Sequence, residues 1–140
     1  MILLDTNVLL ELMRSSPEPK VLQWLDEQLV EDVWISAVTV AEIRLGLARL
    51  PEGRRKKLLT DLAEAMFEED FADRCLSFDC AAAAHYASIV ANRVGHGRPV
   101  SVEDAQIGAM ALSTGLRLAT RNTRHFSGID GLKVVNPWSD

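Results

Sequence analysis

Residues 1–14 read MILLDTNVLLELMR: a short apolar run breaks at an aspartate, a threonine and an asparagine, and apolar residues then resume. A run of that length fits a buried strand. Asp5 then has two readings. It closes a turn or caps a helix, or it stands at the carboxyl end of a strand, where open α/β sheets bind their ligands. What the rest of the chain does decides between them.

Similar short apolar runs, each bounded by polar or turn residues, recur as VWI at 33–35, CLSF at 75–78, LRLA at 116–119 and LKVV at 132–135. With MILL at 1–4 they make about five strand candidates. Between them lie stretches with helical spacing: Val21, Leu22, Leu25 and Leu29; Ile43, Leu47 and Leu50; Leu58, Leu59, Leu62 and Met66; Ala83, Ala87, Ile89 and Val90; Ile107, Met110 and Ala111. Strands alternating with helices imply parallel pairing through right-handed crossovers, hence an α/β fold with helices on both faces of a mostly parallel sheet. PEGRRKK at 51–57 reads as a turn leading into a helix, EEDFAD at 68–73 as the acidic end of that helix, and Asn136-Pro137 as the end of the last strand. The Leu and Met stripes, with Trp24 and Trp34, read as core or dimer contacts. No composition shift marks a second domain, so residues 1–140 read as one.

The formal charge of −5 argues against a protein that coats nucleic acid nonspecifically. The distribution is uneven. Residues 1–90 hold 9 basic and 16 acidic side chains, whereas residues 91–140 hold 6 basic (Arg93, Arg98, Arg117, Arg121, Arg124, Lys133) and 4 acidic. A local phosphate-binding rim in the last third is compatible with that balance. No apolar stretch approaches a membrane span and the N-terminus lacks a signal-like pattern, so the chain reads as soluble and cytoplasmic. Cys75 and Cys80, without histidines at zinc spacing, read as small buried hydrophobes.

In a parallel sheet of this kind, four polar residues fall towards one edge. Asp5 follows the first strand, Glu42 lies in the first turn of the helix after VWIS, Asp104 opens the helix before LRLA, and Asn122 comes three residues after that strand. Each has a local explanation. Thr39 to Glu42 and Ser101 to Asp104 fit capping boxes, and Asp5 fits a cap. Together they say more: carboxylates gathered at one edge repel by about 4 kcal/mol per pair at 4 Å in an effective dielectric near 20, a cost that a bound cation removes. Hard oxygen donors favour Mg²⁺ or Mn²⁺, and such an ion suits phosphodiester hydrolysis by activated water.

The motifs LLDTN, TVAEIRLG, the Asp79-led DCAAAAHYA, VEDAQIGAMA and ATRNTRHF, in this order, resemble the PIN-domain family, most closely the VapC/FitB-type toxins of bacterial toxin–antitoxin pairs. The resemblance covers essentially the whole chain. It implies a three-layer α/β/α sandwich, a Mg²⁺- or Mn²⁺-dependent endoribonuclease, a homodimer, and inhibition by an antitoxin that also binds operator DNA. It places Asp5, Glu42 and Asp104 at the family's acidic, metal-holding positions. Asn122 stands at the fourth, often Asp, which removes a charge and puts a second ion in doubt.

Thr6, Asn7 and Thr120 are suited to hold a carboxylate or water behind these acids, and Arg121 and Arg124 to contact substrate phosphates. Asp79 reads as a helix cap. His85 reads as a packed helix residue, His96 as a helix end, and His125 as a neighbour of the site without a required role. A rival function is a non-catalytic or weakly catalytic module whose acids bind an antitoxin arginine in a repressor complex. An aspartyl-phosphate phosphatase fits less well, because no second Asp stands two residues after Asp5. A nucleotide-cofactor enzyme lacks its glycine-rich loops.

Overall fold

The computed structural model describes residues 1–139. Five strands form one sheet: β1 (Ile2–Leu4), β2 (Val33–Ser36), β3 (Cys75–Leu76), β4 (Arg117–Ala119) and β5 (Val134–Val135). Their spatial order is β3-β2-β1-β4-β5, and every pairing is parallel. β1 is therefore central, and the sequence runs on either side of it wind in opposite directions. That reversal is the kind of switch point at which open sheets bind ligands.

Among the described residues seven α-helices cover the two faces: α1 (Thr6–Leu12), α2 (Pro19–Asp26), α3 (Ala37–Ala48), α4 (Arg54–Ala65), α5 (Cys80–Gly95), α6 (Val102–Thr114) and α7 (Thr123–Phe126). Successive strand residues point to opposite faces. Accordingly Ile2 and Leu4 join one core, with Val8, Leu9, Val21, Ile43 and Ala63, while Leu3 joins the other, with Ala82, Ile107, Met110 and Phe126. The result is a three-layer α/β/α sandwich with α1 to α4 on one side and α5 to α7 on the other.

Side chains fix the starts of α3, α5 and α6. Ser36 accepts from the Thr39 amide at 3.1 Å, Asp79 from Ala82 at 2.9 Å, and Ser101 from Asp104 at 3.1 Å. Gly115, at φ +73°, ends α6 in the left-handed conformation that favours glycine and turns the chain into β4. The acidic segment after α4 continues it as a π-helical turn, Met66–Asp70.

Several expectations need correction. Ser36, not Thr39, caps α3, so Thr39 lies inside the helix and Glu42 falls in its second turn. In α5 the buried residues are Ala82, Ile89 and Arg93, whereas Ala83 and Ala87 face solvent. An alanine-rich helix offers little contrast from which to read the phase of its buried face. Leu22, Leu29, Leu58 and Leu62 are exposed, Leu58 by 67%. Helical spacing tells which residues share a face but not what covers it. Cys75, on an edge strand, and Cys80, at the first position of α5, are both exposed. His85 is exposed rather than packed, because it falls on the outer face of α5; His96 is the C-cap residue of that helix.

Candidate active site

The carboxyl edge of the sheet is built by continuing its ladder past the strands. The Asp5 amide donates to the Ala119 carbonyl at 2.9 Å, and the Thr120 amide to the Val135 carbonyl at 3.0 Å. These bonds fix the backbone beneath two polar side chains. Asp5 is the N-cap of α1, taking the Thr6 amide on Oδ1 at 2.8 Å. Its other oxygen, Oδ2, accepts from the Thr120 hydroxyl at 2.7 Å and from Asn7 Nδ2 at 3.3 Å.

Thr120 is fully buried, and its hydroxyl is saturated. It donates to Asp5 and accepts from Asn7 Nδ2 at 3.2 Å and from the Asn122 amide at 3.0 Å. Asn7 Oδ1 in turn accepts from the Arg121 amide at 3.2 Å, tying the loop after β4 to α1. Both readings of Asp5 therefore hold: it is a cap, and it is a buried carboxylate at the end of the central strand, 4% exposed. Burial pushes its pKa above the ordinary carboxylate value, against the Thr120 hydroxyl and the Thr6 amide, which pull it down; the charge of Asp104 adds to the rise and His125 opposes it.

Glu42 reaches the same edge from α3. Its Oε1 accepts from the Thr6 hydroxyl at 2.7 Å, and the Thr6 and Thr39 hydroxyls lie 3.0 Å apart. Because Thr6 has a single hydroxyl proton and gives it to Glu42, Thr39 must be the donor to Thr6. Ser36 Oγ donates to Thr39 Oγ1 at 3.3 Å. A directed chain, Ser36 to Thr39 to Thr6 to Glu42, thus runs from the buried end of β2 to the acid. Sequence reading did not assign Ser36 or Thr39 to the site, since hydroxyls at a helix start look like ordinary caps. The Glu42 pKa is also raised, first by burial and then, against the Thr6 hydrogen bond, by the charges of Asp5, Glu103 and Asp104.

Asp104, in the first turn of α6, has a partly exposed side chain. Its Oδ2 lies 3.0 Å from His125 Nδ1. Sequence reading left His125 without a partner, because the two residues are 21 positions apart and belong to different helices. Asn122 is exposed and precedes α7, where its side chain makes no capping bond. Arg121 is placed over the Trp138 ring at 5.1 Å, and Arg124 faces a cleft on the Asp104 side.

Asp5, Glu42 and Asp104 are thus brought to one edge, near enough for each of Asp5 and Glu42 to feel the charge of Asp104. They are not drawn into a tight cluster: among the described residues no three His, Cys, Asp or Glu side chains form a ready metal-holding group. Each carboxylate is instead held by its own donor, Thr120, Thr6 or His125. The donor set suits a hard divalent cation. It consists of oxygen ligands, two of them carboxylates whose ionisation is opposed by burial and by neighbouring carboxylates, and both costs fall when a cation is near.

A groove of about 750 Å³ leads away from Thr6 and Glu42 between α1, α3 and α4. Leu10, Met13, Leu47, Leu58 and Leu62 line it, which accounts for the exposure of Leu58 and Leu62 on α4.

A five-stranded parallel sheet with carboxylates along one edge of its central strands defines a class, and the sequence identifies it. Residues 2–132 match the PIN domain, and the chain belongs to that family. It is 44% identical, over the whole of both chains, to the toxin FitB of Neisseria gonorrhoeae. It is 40% identical to the VapC ribonuclease Y4jK of Sinorhizobium fredii, covering 99% of this chain and 98% of that protein. Among solved structures, a FitAB complex bound to the IR36 DNA fragment superposes with a TM-score of 0.92 at 43% identity, covering 100% of this chain and 97% of its counterpart. The FitAcB structure from Neisseria gonorrhoeae gives a TM-score of 0.88 at 43% identity, with both chains fully covered. Among the described residues no helix is long and apolar enough to cross a membrane.

Proposed function

We propose that this protein is an endoribonuclease and the toxin of a toxin–antitoxin pair. The observation that carries the reading is the meeting of Asp5, Glu42 and Asp104 at the carboxyl edge of the sheet, in a chain 40% identical to a VapC ribonuclease over nearly its full length. Asp5, Glu42 and Asp104 would hold Mg²⁺ or Mn²⁺, which when bound supplies charge stabilisation at the phosphate and a more acidic water.

The chain's own residues do the positioning. Thr120 and Asn7 fix the Asp5 carboxylate from one side, and the Thr6 amide fixes it from the other. Thr6 orients Glu42 with the hydroxyl chain behind it. Asn122 offers a neutral oxygen where an aspartate would add a charge, so we assign one firmly held ion. Arg124 is the arginine we assign to substrate phosphate. Arg121 is the weaker candidate, because its guanidinium is engaged with Trp138.

The partner we propose is an antitoxin with a DNA-binding region, bound by a homodimer of this chain. Two similar structures, FitAB and FitAcB, support it, the first of them in complex with DNA. The apolar groove beside Glu42 is the surface we assign to that partner, since its exposed leucines need cover. The test of activity is cleavage of total RNA by purified protein in Mg²⁺ or Mn²⁺, beside Asp5→Asn and Asp104→Asn. Wild-type cleavage lost in both variants and in chelator supports the reading. Cleavage unchanged in both variants overturns it.

A further inference from the structure

The last third of the chain carries six of its fifteen Lys and Arg side chains, and the fold separates them. Arg117 begins β4 and pairs with Ile2, at the amino end of the sheet and away from the acids. Arg121 is spent on Trp138. Arg93, Arg98 and Arg124, by contrast, line one cleft of about 550 Å³ together with Asp104, His125 and Ser127.

Three helix ends build this cleft. At the end of α5 the chain reverses through Gly97, at φ +67°, and the Arg98 amide donates to the Arg93 carbonyl at 2.8 Å, which sets the two arginines side by side. α7 brings Arg124 and His125, and the start of α6 brings Asp104. Ser127 joins the walls: its hydroxyl accepts from Arg98 Nη2 at 3.3 Å and donates to the Arg124 carbonyl at 3.0 Å.

Three arginines and one aspartate line this cleft, and its positive charge is not fully offset. Among the described residues none of the three guanidiniums forms an ion pair with a carboxylate, whereas Arg14 and Arg44 elsewhere each pair with a glutamate at 2.8 Å. Arg93 is 6% exposed; its Nη2 donates to the His125 carbonyl, but its buried Nε has no partner. A buried cation with an unused donor is a costly arrangement unless an anion completes it. Asp104 is the carboxylate lining the cleft, and His125 holds it. Asp104 also belongs to the acid edge, so the cleft and the acids share a wall.

We propose that this cleft is a second phosphate site, which takes a backbone phosphate of the RNA next to the one presented to Asp5, Glu42 and Asp104. It rests on the ribonuclease reading above. Arg98 and Arg124 grip the phosphate oxygens, for which the planar guanidinium fork is suited, and Arg93 supplies a weakly screened positive charge from beneath. The cleft then sets which way the strand runs across the acids: from the arginines, past Asp104, towards Glu42.

The test measures binding without cleavage. In an Asp5→Asn background with chelator present, fluorescence anisotropy with a short, labelled, mixed-sequence single-stranded RNA is followed as salt is raised. Arg98→Ala and Arg124→Ala are each expected to weaken binding by about tenfold and to lower the slope of log affinity against log salt by about 0.7, the value for one phosphate contact on a single strand. Arg98→Lys keeps most of the slope, and Arg117→Ala binds like its parent. Unchanged affinity and slope in both alanine variants overturn the proposal, as does a loss larger for duplex DNA than for RNA. The two readings fail separately. A wild-type protein that cuts no RNA while these affinities fall as stated removes the ribonuclease and leaves the phosphate site. Normal cleavage with unchanged affinities does the reverse.

Discussion

Asp5 and Asp104 are the same residue type on the same edge of the sheet, and they are held in opposite ways. Asp5 is buried, its backbone is paired into the ladder, and both its oxygens are taken by donors from Thr6, Asn7 and Thr120. Asp104 sits in the first turn of a helix with a partly exposed side chain, tied to a histidine whose own side chain is 56% exposed. Glu42 resembles Asp5, with a buried hydroxyl chain behind it. Asp5 and Glu42, the inner acids in that donors backed by buried side chains hold them, are thus pre-positioned at a cost in ionisation, whereas Asp104, the outer one, is held by an exposed histidine. An inner wall backed by buried donors and an outer wall held from the surface would suit a site that takes a cation and a substrate strand together.

The largest effect expected from breaking the inner wall comes from Thr120→Val. It removes the shortest donor to Asp5 and leaves the Asn122 amide without its acceptor, so stability should fall by about 2 kcal/mol, read by chemical denaturation. A loss under about 0.5 kcal/mol would mean that Thr120 does not hold Asp5. Next comes Thr39→Val, nearly equal in volume, which cuts the hydroxyl chain in the middle. Stability should fall by about 1 kcal/mol, and RNA cleavage should drop more than in a surface threonine variant such as Thr114→Val.

Glu42→Gln works in the other direction. A carboxylate whose pKa is raised by folding binds its proton more tightly in the folded state, so it opposes folding once ionised. Glu42 in its native form therefore loses the protein stability as pH rises from its ordinary value of 4.5 through the raised one. The glutamine variant should be more stable at neutral pH by about 0.5 kcal/mol, allowing for solvent screening at a half-buried group, and the gain should vanish below about pH 4.5. Melting curves at neutral and acid pH check it, and a gain that persists in acid would contradict the electrostatic cause. His125→Ala touches the outer wall and should have the smallest effect, within about 0.5 kcal/mol, because a hydrogen bond from an exposed side chain contributes little. A larger loss would make the outer wall as rigid as the inner one.

The frame of this comparison was legible in the sequence, and its lining was not. Five short apolar runs became the five strands, and parallel topology alone sent Asp5, Glu42 and Asp104 to one edge. Thr6, Asn7 and Thr120 were found because they neighbour strand ends. The bond between Thr6 and Thr39, by contrast, joins positions 33 apart, and that between Asp104 and His125 positions 21 apart, on elements whose relative placement no local pattern encodes. Leu58 and Leu62 show the same limit for packing. The stripe they share with Leu59 and Met66 splits: Leu59 and Met66 pack into the core, while Leu58 and Leu62 border an open groove beside the acids.

The central claim is that the inner acids and the outer one act as a single cation site. Calorimetric titration of Mn²⁺ into wild-type protein, Asp5→Asn and Asp104→Asn tests it most directly. We expect wild-type binding at one ion per chain, weakened at least about tenfold by either substitution, since each removes a charged oxygen ligand from the same ion. Binding to either variant with wild-type affinity would contradict the claim.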